Sequence, residues 1–226
     1  MKAAFHKLLM PVNPNISRAR WVILLLLALS VTALLLAPRL VPEGYSWLTH
    51  TTSESAAQGL KGAWLARLGF LLFGFAVVWL AGAASRTWAR TVTWMHLAFG
   101  VLMISTAAFS HQPFIPGVAF DPVEDWLHSL TATLMGFAFA FGVLARFLQR
   151  GARLNGVGLF DLVAVGASVF IPLLMASNAS LVGLTQRLMF LVAYIWYGKE
   201  AYTLPRILSR VKIAAENQSL QRDYDY

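Results

Sequence analysis

Six long apolar stretches divide this chain, and they constrain its fold more than any motif does. They run over Trp21–Pro38, Ala63–Ala83, Thr93–Ser110, Trp126–Leu148, Val157–Ala176 and Leu181–Tyr197. A helix crossing a bilayer needs about 20 predominantly apolar residues, and every backbone polar group must be satisfied within the segment itself. The pattern therefore predicts an all-α integral membrane bundle of six transmembrane helices. Only 12% of the 226 residues are charged while 58% are hydrophobic, too little polar surface to cover a water-soluble domain of this size. The first stretch follows Lys2, Lys7, Arg18 and Arg20 as a secretory signal would. It exceeds the usual h-region and ends in Ala37-Pro38-Arg39 without a small-x-small cleavage site, so it is read as a retained helix.

The charges between the stretches give an orientation. Lys and Arg collect on the cytoplasmic side of membrane proteins. Here Arg86 and Arg90 fill the second connection, Arg146, Arg150 and Arg153 the fourth, and Lys199, Arg206, Arg210, Lys212 and Arg222 the C-terminal end. The third connection holds Asp121, Glu124 and Asp125 with no Lys or Arg, and the first sets Glu43 and Glu54 beside Arg39 and Lys61. Six spans with both termini cytoplasmic account for this, in the cytoplasmic (inner) membrane. The domain reading is a cytoplasmic N-terminal segment over 1–20, a transmembrane domain over 21–204 and a polar cytoplasmic tail over 205–226, expected to be mobile. The net charge of +8 belongs to these short segments, and membrane lipids rather than nucleic acid are the expected partners. Trp47, Trp64, Trp88, Trp94, Trp126, Tyr197 and Tyr202 fall near span ends, as interfacial aromatics do. Gly69, Gly74, Ala138, Gly142 and Gly166 are expected to let helices approach closely.

Topology brings one set of polar residues to the outer side: Ser53, Glu54, Arg67, His111, Asp125, His128, Gln186 and Arg187. Arg187 is read as lying within the hydrocarbon and needing a partner; the alternative starts the last helix at Arg187 and buries Lys199 and Glu200 near the inner boundary. Arg67 is expected to snorkel to the interface. Asp125 and His128 share a helix face at three-residue spacing and can share a proton or a ligand. Asp121-Pro122-Val123-Glu124 and Thr51-Thr52-Ser53-Glu54 both spell helix starts, which makes Asp121 and Glu124 capping residues and leaves Glu54 also available to pair with Arg187 or Arg67. Asp161, one turn into the fifth span, is expected to pair with a basic residue or with His96.

Cofactor chemistry has little footing. The chain has no cysteine, which excludes thiolate metal sites and thiol nucleophiles. Its five histidines, His6, His50, His96, His111 and His128, include no pair at the four-residue spacing of ligands on one helix and no clear bis-histidine haem pair. No cofactor is predicted, with zinc on His111, Asp125 and His128 as the alternative.

Several short runs resemble one family. Gly44-Tyr45-Ser46 before Thr51-Thr52-Ser53-Glu54, Leu65-Ala66-Arg67-Leu68-Gly69-Phe70, the Phe109-to-His128 loop, and Gln186-Arg187 resemble the bacterial and archaeal membrane proteins of domain-of-unknown-function family 998. The resemblance covers most of residues 21–204 and implies six spans and an outer polar cluster of Ser53, Glu54, Arg67, His128, Gln186 and Arg187, with no established activity. This chain has Ser53-Glu54-Ser55 where many relatives have Ser-Glu-Leu-Gly, and it lacks the third-loop cysteines some carry. A more distant likeness is to membrane hydrolases of the alkaline ceramidase type, with Ser53, Asp125, His111 and His128 in their places, but the final helices carry no histidine. The functional expectation is an outward-facing polar pocket for a lipid head group or small polar ligand. The alternatives are a metal-dependent lipid hydrolase and a structural or assembly protein, and whether the chain is an enzyme stays open.

Overall fold

The computed structural model describes residues 14–224, with side chains over 18–204. The expected N-terminal segment with Lys2, His6 and Lys7, and the side chains of Arg206, Arg210, Lys212 and Arg222, lie outside the described residues. Among those residues the chain is all-helical. Its helices are α1 (Pro14–Leu36), the single-turn α2 (Thr52–Ser55), α3 (Ala63–Ala84), α4 (Arg90–Ala108), α5 (Pro122–Gln149), α6 (Gly156–Ser177) and α7 (Val182–Tyr224), with 3₁₀ turns at Ala37–Arg39 and Ala179–Leu181. Six are long and apolar enough to cross a membrane. The chain is a multi-pass membrane protein.

Local chemistry sets the helix ends. Asp121 Oδ1 accepts from the amides of Val123 (2.8 Å) and Glu124 (3.4 Å), with Pro122 next, where its missing N–H costs nothing. Asn155 caps α6 by accepting from Gly158 N at 3.0 Å. The chain leaves α5 through Gly151 and Ala152, both at positive φ. Beyond Leu204, α7 runs on as helix through Tyr224, so the expected mobile tail is a continuation of the last helix, its sequence free of proline and glycine after Pro205.

The long helices form a ring. Each packs on its neighbours in the chain, and α7 returns to α1. α3 is the most enclosed and α6 the least, at 50% and 17% buried. Between them lies an aromatic interior in which Phe73 stacks on Tyr194 at 4.2 Å and Phe99 and Phe139 meet Tyr197. Outward-facing Phe75, Trp79, Phe137, Phe141, Phe170 and Leu173 are exposed, the apolar belt of a lipid-facing surface. α3 and α4 cross at Gly74 and Gly100: a Cβ on Gly74 would stand 2.7 Å from Gly100 O, and one on Gly100 2.9 Å from Gly74 O. Gly69 and Gly142 are packed against Leu34 and His96 in the same way. Gly166 is not, since its nearest outside atom is Phe170 of its own helix. Trp47, Trp64, Trp94, Trp126 and Tyr202 are exposed near helix ends as expected, whereas Trp88 and Tyr197 are core residues. Both are drawn inward by His96, whose ring lies 5.0 Å from Trp88 and whose Nδ1 lies 2.9 Å from the Tyr197 hydroxyl.

The ring has two unlike ends. The loop end gathers the connections 37–62, 109–121 and 178–181; the basic end gathers the start of α1, the connections 85–89 and 150–155, and the region around Lys199.

Candidate functional site

The loop end is built on residues 44–62, a segment that carries one short helix and must otherwise find partners for its backbone. Thr51 and Glu54 form the expected capping box: Thr51 Oγ1 accepts from Glu54 N at 3.1 Å, and Glu54 Oε2 accepts from Thr51 N at 2.5 Å and from the Thr51 hydroxyl at 2.9 Å. Gln186 Oε1 then takes the next amide, Thr52 N, at 2.6 Å, tying α2 to the start of α7.

Arg187 lies within the candidate span Ala179–Leu204, between one and two turns into α7. It is half-buried, and it has the partners expected of it, though none is a carboxylate: Nη1 donates to Trp47 O (2.9 Å), His50 O (2.9 Å) and Gly183 O (2.8 Å), and Nη2 to the Tyr45 hydroxyl (2.5 Å). The last helix starts at Val182 rather than at Arg187, and Lys199 and the buried Glu200 lie near the other end of the same span, Ala179–Leu204. Gly183 permits the clasp, because a Cβ there would meet the carbonyl oxygens of Trp47 and His50. Tyr45 donates in turn to Thr51 O at 2.7 Å and packs beside His50 and Phe114. Burial pushes the Tyr45 phenol above its ordinary value, against the opposing pull of the Arg187 charge and hydrogen bond.

Arg67, in the second turn of α3, reaches the loop before its helix. Its Nε donates to Ala56 O at 3.0 Å and its Nη2 to Ala57 O at 3.1 Å, closing the C-terminal side of α2. Neither arginine is paired with Glu54, whose Oε2 is held by Thr51. Gln58, to which the sequence reading gave no role, binds the two longer connections of this end together: its amide donates to Ser110 O (2.8 Å) and Asp121 O (3.0 Å) and accepts from Asp121 N (2.7 Å). A lone glutamine after two alanines gives no sequence signal for such a part.

Asp125 and His128 share a helix face but not a proton. Asp125 Oδ1 accepts from Gln112 N at 2.7 Å and lies 3.4 Å from His111 Nδ1. His128 is buried, its Nδ1 facing Phe109 O (2.8 Å) and Thr106 O (3.2 Å), its Nε2 without a hydrogen-bond partner among the described residues. Its ring is 5.5 Å from that of His111. Glu124 Oε1 accepts from Ser110 N at 2.7 Å, a loop anchor in addition to its place in the first turn. Ser53 is buried in α2. Among the described residues no three of His, Asp and Glu are grouped to hold a metal ion; His111, Asp125 and His128 stand close without forming a three-donor set.

An open depression of about 380 Å³ lies beside these residues, lined by Glu54, His111, Gln112, Phe114, Val118 and Phe120 among others. Glu54 is the one carboxylate lining it, and its Oε1 accepts no hydrogen bond from the described residues.

At the basic end Asp161 has the basic partners expected of it, and not His96. It takes Arg150 Nη1 (2.5 Å), Lys199 Nζ (3.2 Å) and Trp196 Nε1 (2.9 Å). Glu200 takes Arg150 and Arg146, the latter at 3.4 Å. Asp161 is 0% exposed and Glu200 2%. The sequence reading assigned these arginines to topology alone; the available signal was that Arg146, Asp161 and Glu200 each fall inside a span, where a charge needs a partner.

No curated protein and no solved structure matches the chain. The family model described as protein of unknown function (DUF998) matches residues 22–198, spanning all six membrane helices from α1 into α7, and the chain belongs to that family.

Proposed function

We propose that this protein lies in the cytoplasmic membrane with its basic end and both termini on the cytoplasmic side, and that the depression at its loop end holds a lipid head group or small polar ligand bearing an ammonium group. The placement of charge supports this reading. Arg67 and Arg187 direct their guanidinium groups to loop carbonyls and the Tyr45 hydroxyl rather than to Glu54, which leaves Glu54 as the carboxylate beside the depression, with one oxygen free of partners among the described residues. Phe114 and Phe120 contribute aromatic surface of the kind that attracts cations. A zwitterionic head group fits such a lining with its ammonium inward.

Glu54→Gln separates binding from folding, because glutamine serves the third position of a capping box as glutamate does. Native mass spectrometry of the full chain in detergent, titrated with phosphatidylethanolamine, is expected to show a bound lipid whose affinity falls about tenfold in the variant, equivalent to about 1.4 kcal/mol. The unfolding temperature should stay unchanged. Equal affinity in both proteins sinks the reading, as does an equal dependence on Glu54 for phosphatidylglycerol, which has no ammonium group.

A structural reading has its own support: Arg67, Arg187, Gln58 and Gln186 all hold backbone groups of the outer loops in place. On that reading Glu54→Gln changes neither lipid binding nor stability.

A further inference from the structure

A second opening, which shares no lining residue with the depression, lies between α4, α5, α6 and α7. It is a crevice of about 50 Å³ walled by Phe99, Met103, Met135, Gly136, Phe139 and Ser168, with Pro172, Met189, Phe190 and Ala193 completing it. Its depth limits what can enter. Phe99 and Met103 lie about 14 and 20 Å along α4 from Arg90, at 1.5 Å per residue, and Met189 and Ala193 are similarly interior to their span. Water is absent at that depth and the hydrocarbon of the bilayer surrounds the helices.

Three features mark the crevice as a place for a guest rather than a packing fault. Gly136 sits mid-helix, where glycine carries an entropic cost, yet a Cβ there would meet nothing within 4 Å; the same holds at Gly82 and Gly198, but only Gly136 of the three lines the crevice, and Gly69, Gly74, Gly100 and Gly142 are pressed against neighbouring helices. Ser168, the one polar side chain on the wall, returns its hydroxyl to Ala164 O at 2.8 Å, so the surface it offers is apolar. Three methionines line the space, and flexible thioether chains adapt to irregular occupants. Two of its wall residues, Ser168 and Pro172, belong to α6, the least enclosed helix. Asp161 fixes α6 at its basic end, while Pro172, an exposed residue of the crevice wall, withholds an N–H from the carbonyl one turn back.

The geometry points to an acyl-chain site: one hydrocarbon chain of a membrane phospholipid enters between α5, α6 and α7 and seats its segment against Gly136 and the three methionines. A space of this size takes about three to five carbons, one water-sized occupant needing roughly 10–15 Å³. This inference does not depend on the head-group reading.

The test uses the full chain reconstituted in vesicles with a phosphatidylcholine carrying a diazirine on one acyl chain, irradiated and mapped by mass spectrometry. Surrounding lipid can label exposed Phe137, Phe141 and Leu191, but Met103, Met135, Phe139 and Ala193 are buried and can be reached only by a chain inside the crevice. Labelling of those four is expected in the wild type and should fall to the no-lipid background in Gly136→Leu, which fills the space. Ser168→Leu fills it from the opposite wall and serves if the first variant fails to fold. Glu54→Gln should leave this labelling intact, which keeps the two proposals separable. Labelling confined to exposed residues in the wild type overturns the inference without any variant. So does labelling indifferent to both fillings, or labelling by a free diazirine fatty acid and not by the phospholipid.

Discussion

The two ends of the bundle hold their polar groups by opposite means. At the loop end, Arg67, Arg187, Gln58 and Gln186 bind backbone carbonyls and amides, so charge and amide groups organise a segment that has little helix of its own. At the basic end, Arg146, Arg150 and Lys199 bind Asp161 and Glu200, linking α5, α6 and α7 by charge on charge. The difference matters when something is removed. A carbonyl that loses its arginine still has water within reach in a half-exposed loop. A guanidinium that loses its carboxylate in a buried site is an uncompensated charge, and that penalty exceeds what the pair contributed while intact.

The largest effect is therefore expected at the basic end. Asp161→Ala leaves Arg150 with Glu200 alone, and Lys199 with only a distant 3.9 Å approach to that same carboxylate. Three cations against one carboxylate then occupy the site. A loss of about 3–5 kcal/mol is expected, measured by reversible unfolding in mixed detergent micelles. Glu200→Ala should act alike. Adding Arg150→Met to Asp161→Ala should recover part of the loss, because it cuts the site from three cations against one carboxylate to two. If Asp161→Ala is silent, the contrast between the ends is wrong.

Arg187 tests the other side. Arg187→Met removes donors to three carbonyls and to Tyr45 together, and about 2–3 kcal/mol is expected, from the net worth of charged hydrogen bonds discounted for solvent access. The loss should be local: protease cleavage within residues 44–62 in sealed vesicles should rise more than global unfolding does. Arg187→Lys should recover little, since one ammonium cannot reproduce a planar fork reaching two groups of acceptors. The double reversal Glu54→Arg with Arg187→Glu should not rescue either single change, because the two side chains are not paired.

The same contrast explains which parts were legible in the sequence. All six spans could be recognised, and all but the last placed within a few residues at both ends, because long apolar runs have one outcome in a bilayer and Asp121, Thr51 and the prolines mark helix starts by local chemistry; the last was ended at Tyr197, seven residues short of Leu204, where Lys199 and Glu200 interrupt the apolar run. The loop-end residues could be named but not their partners. Arg187 needed a counter-group, and a carboxylate is the partner that sequence makes visible; backbone carbonyls carry no side-chain identity, so Trp47, His50 and Gly183 could not be picked out. Gln58 was missed for the same reason. At the basic end the partners were visible as letters, but Arg146 and Arg150 also satisfied the topology rule, and a residue with one sufficient explanation gave no prompt for a second. Trp88 and Tyr197 followed that course too: each sits where an interfacial aromatic belongs, and only the meeting of α4 with α7 at His96 places them inside.

The smallest effect concerns how the Arg187 clasp responds to pH. Burial raises the Tyr45 phenol while the guanidinium beside it pulls the other way, and burial prevails. A tyrosine whose folded value lies above the unfolded one, near 10, stabilises the folded state fully below pH 10 and loses that contribution as the pH climbs through the folded value. Tyr45→Phe removes the titration, the hydrogen bond to Thr51 O and the one accepted from Arg187, a loss of about 1–2 kcal/mol at neutral pH. The gap in loop protection between wild type and Tyr45→Phe should thus be flat up to pH 10 and narrow above it. A gap that widens above pH 10 would mean that the phenolate is held by Arg187 better than the phenol is held by Thr51 O, and the loop end would then resemble the basic end, a site organised by paired charges.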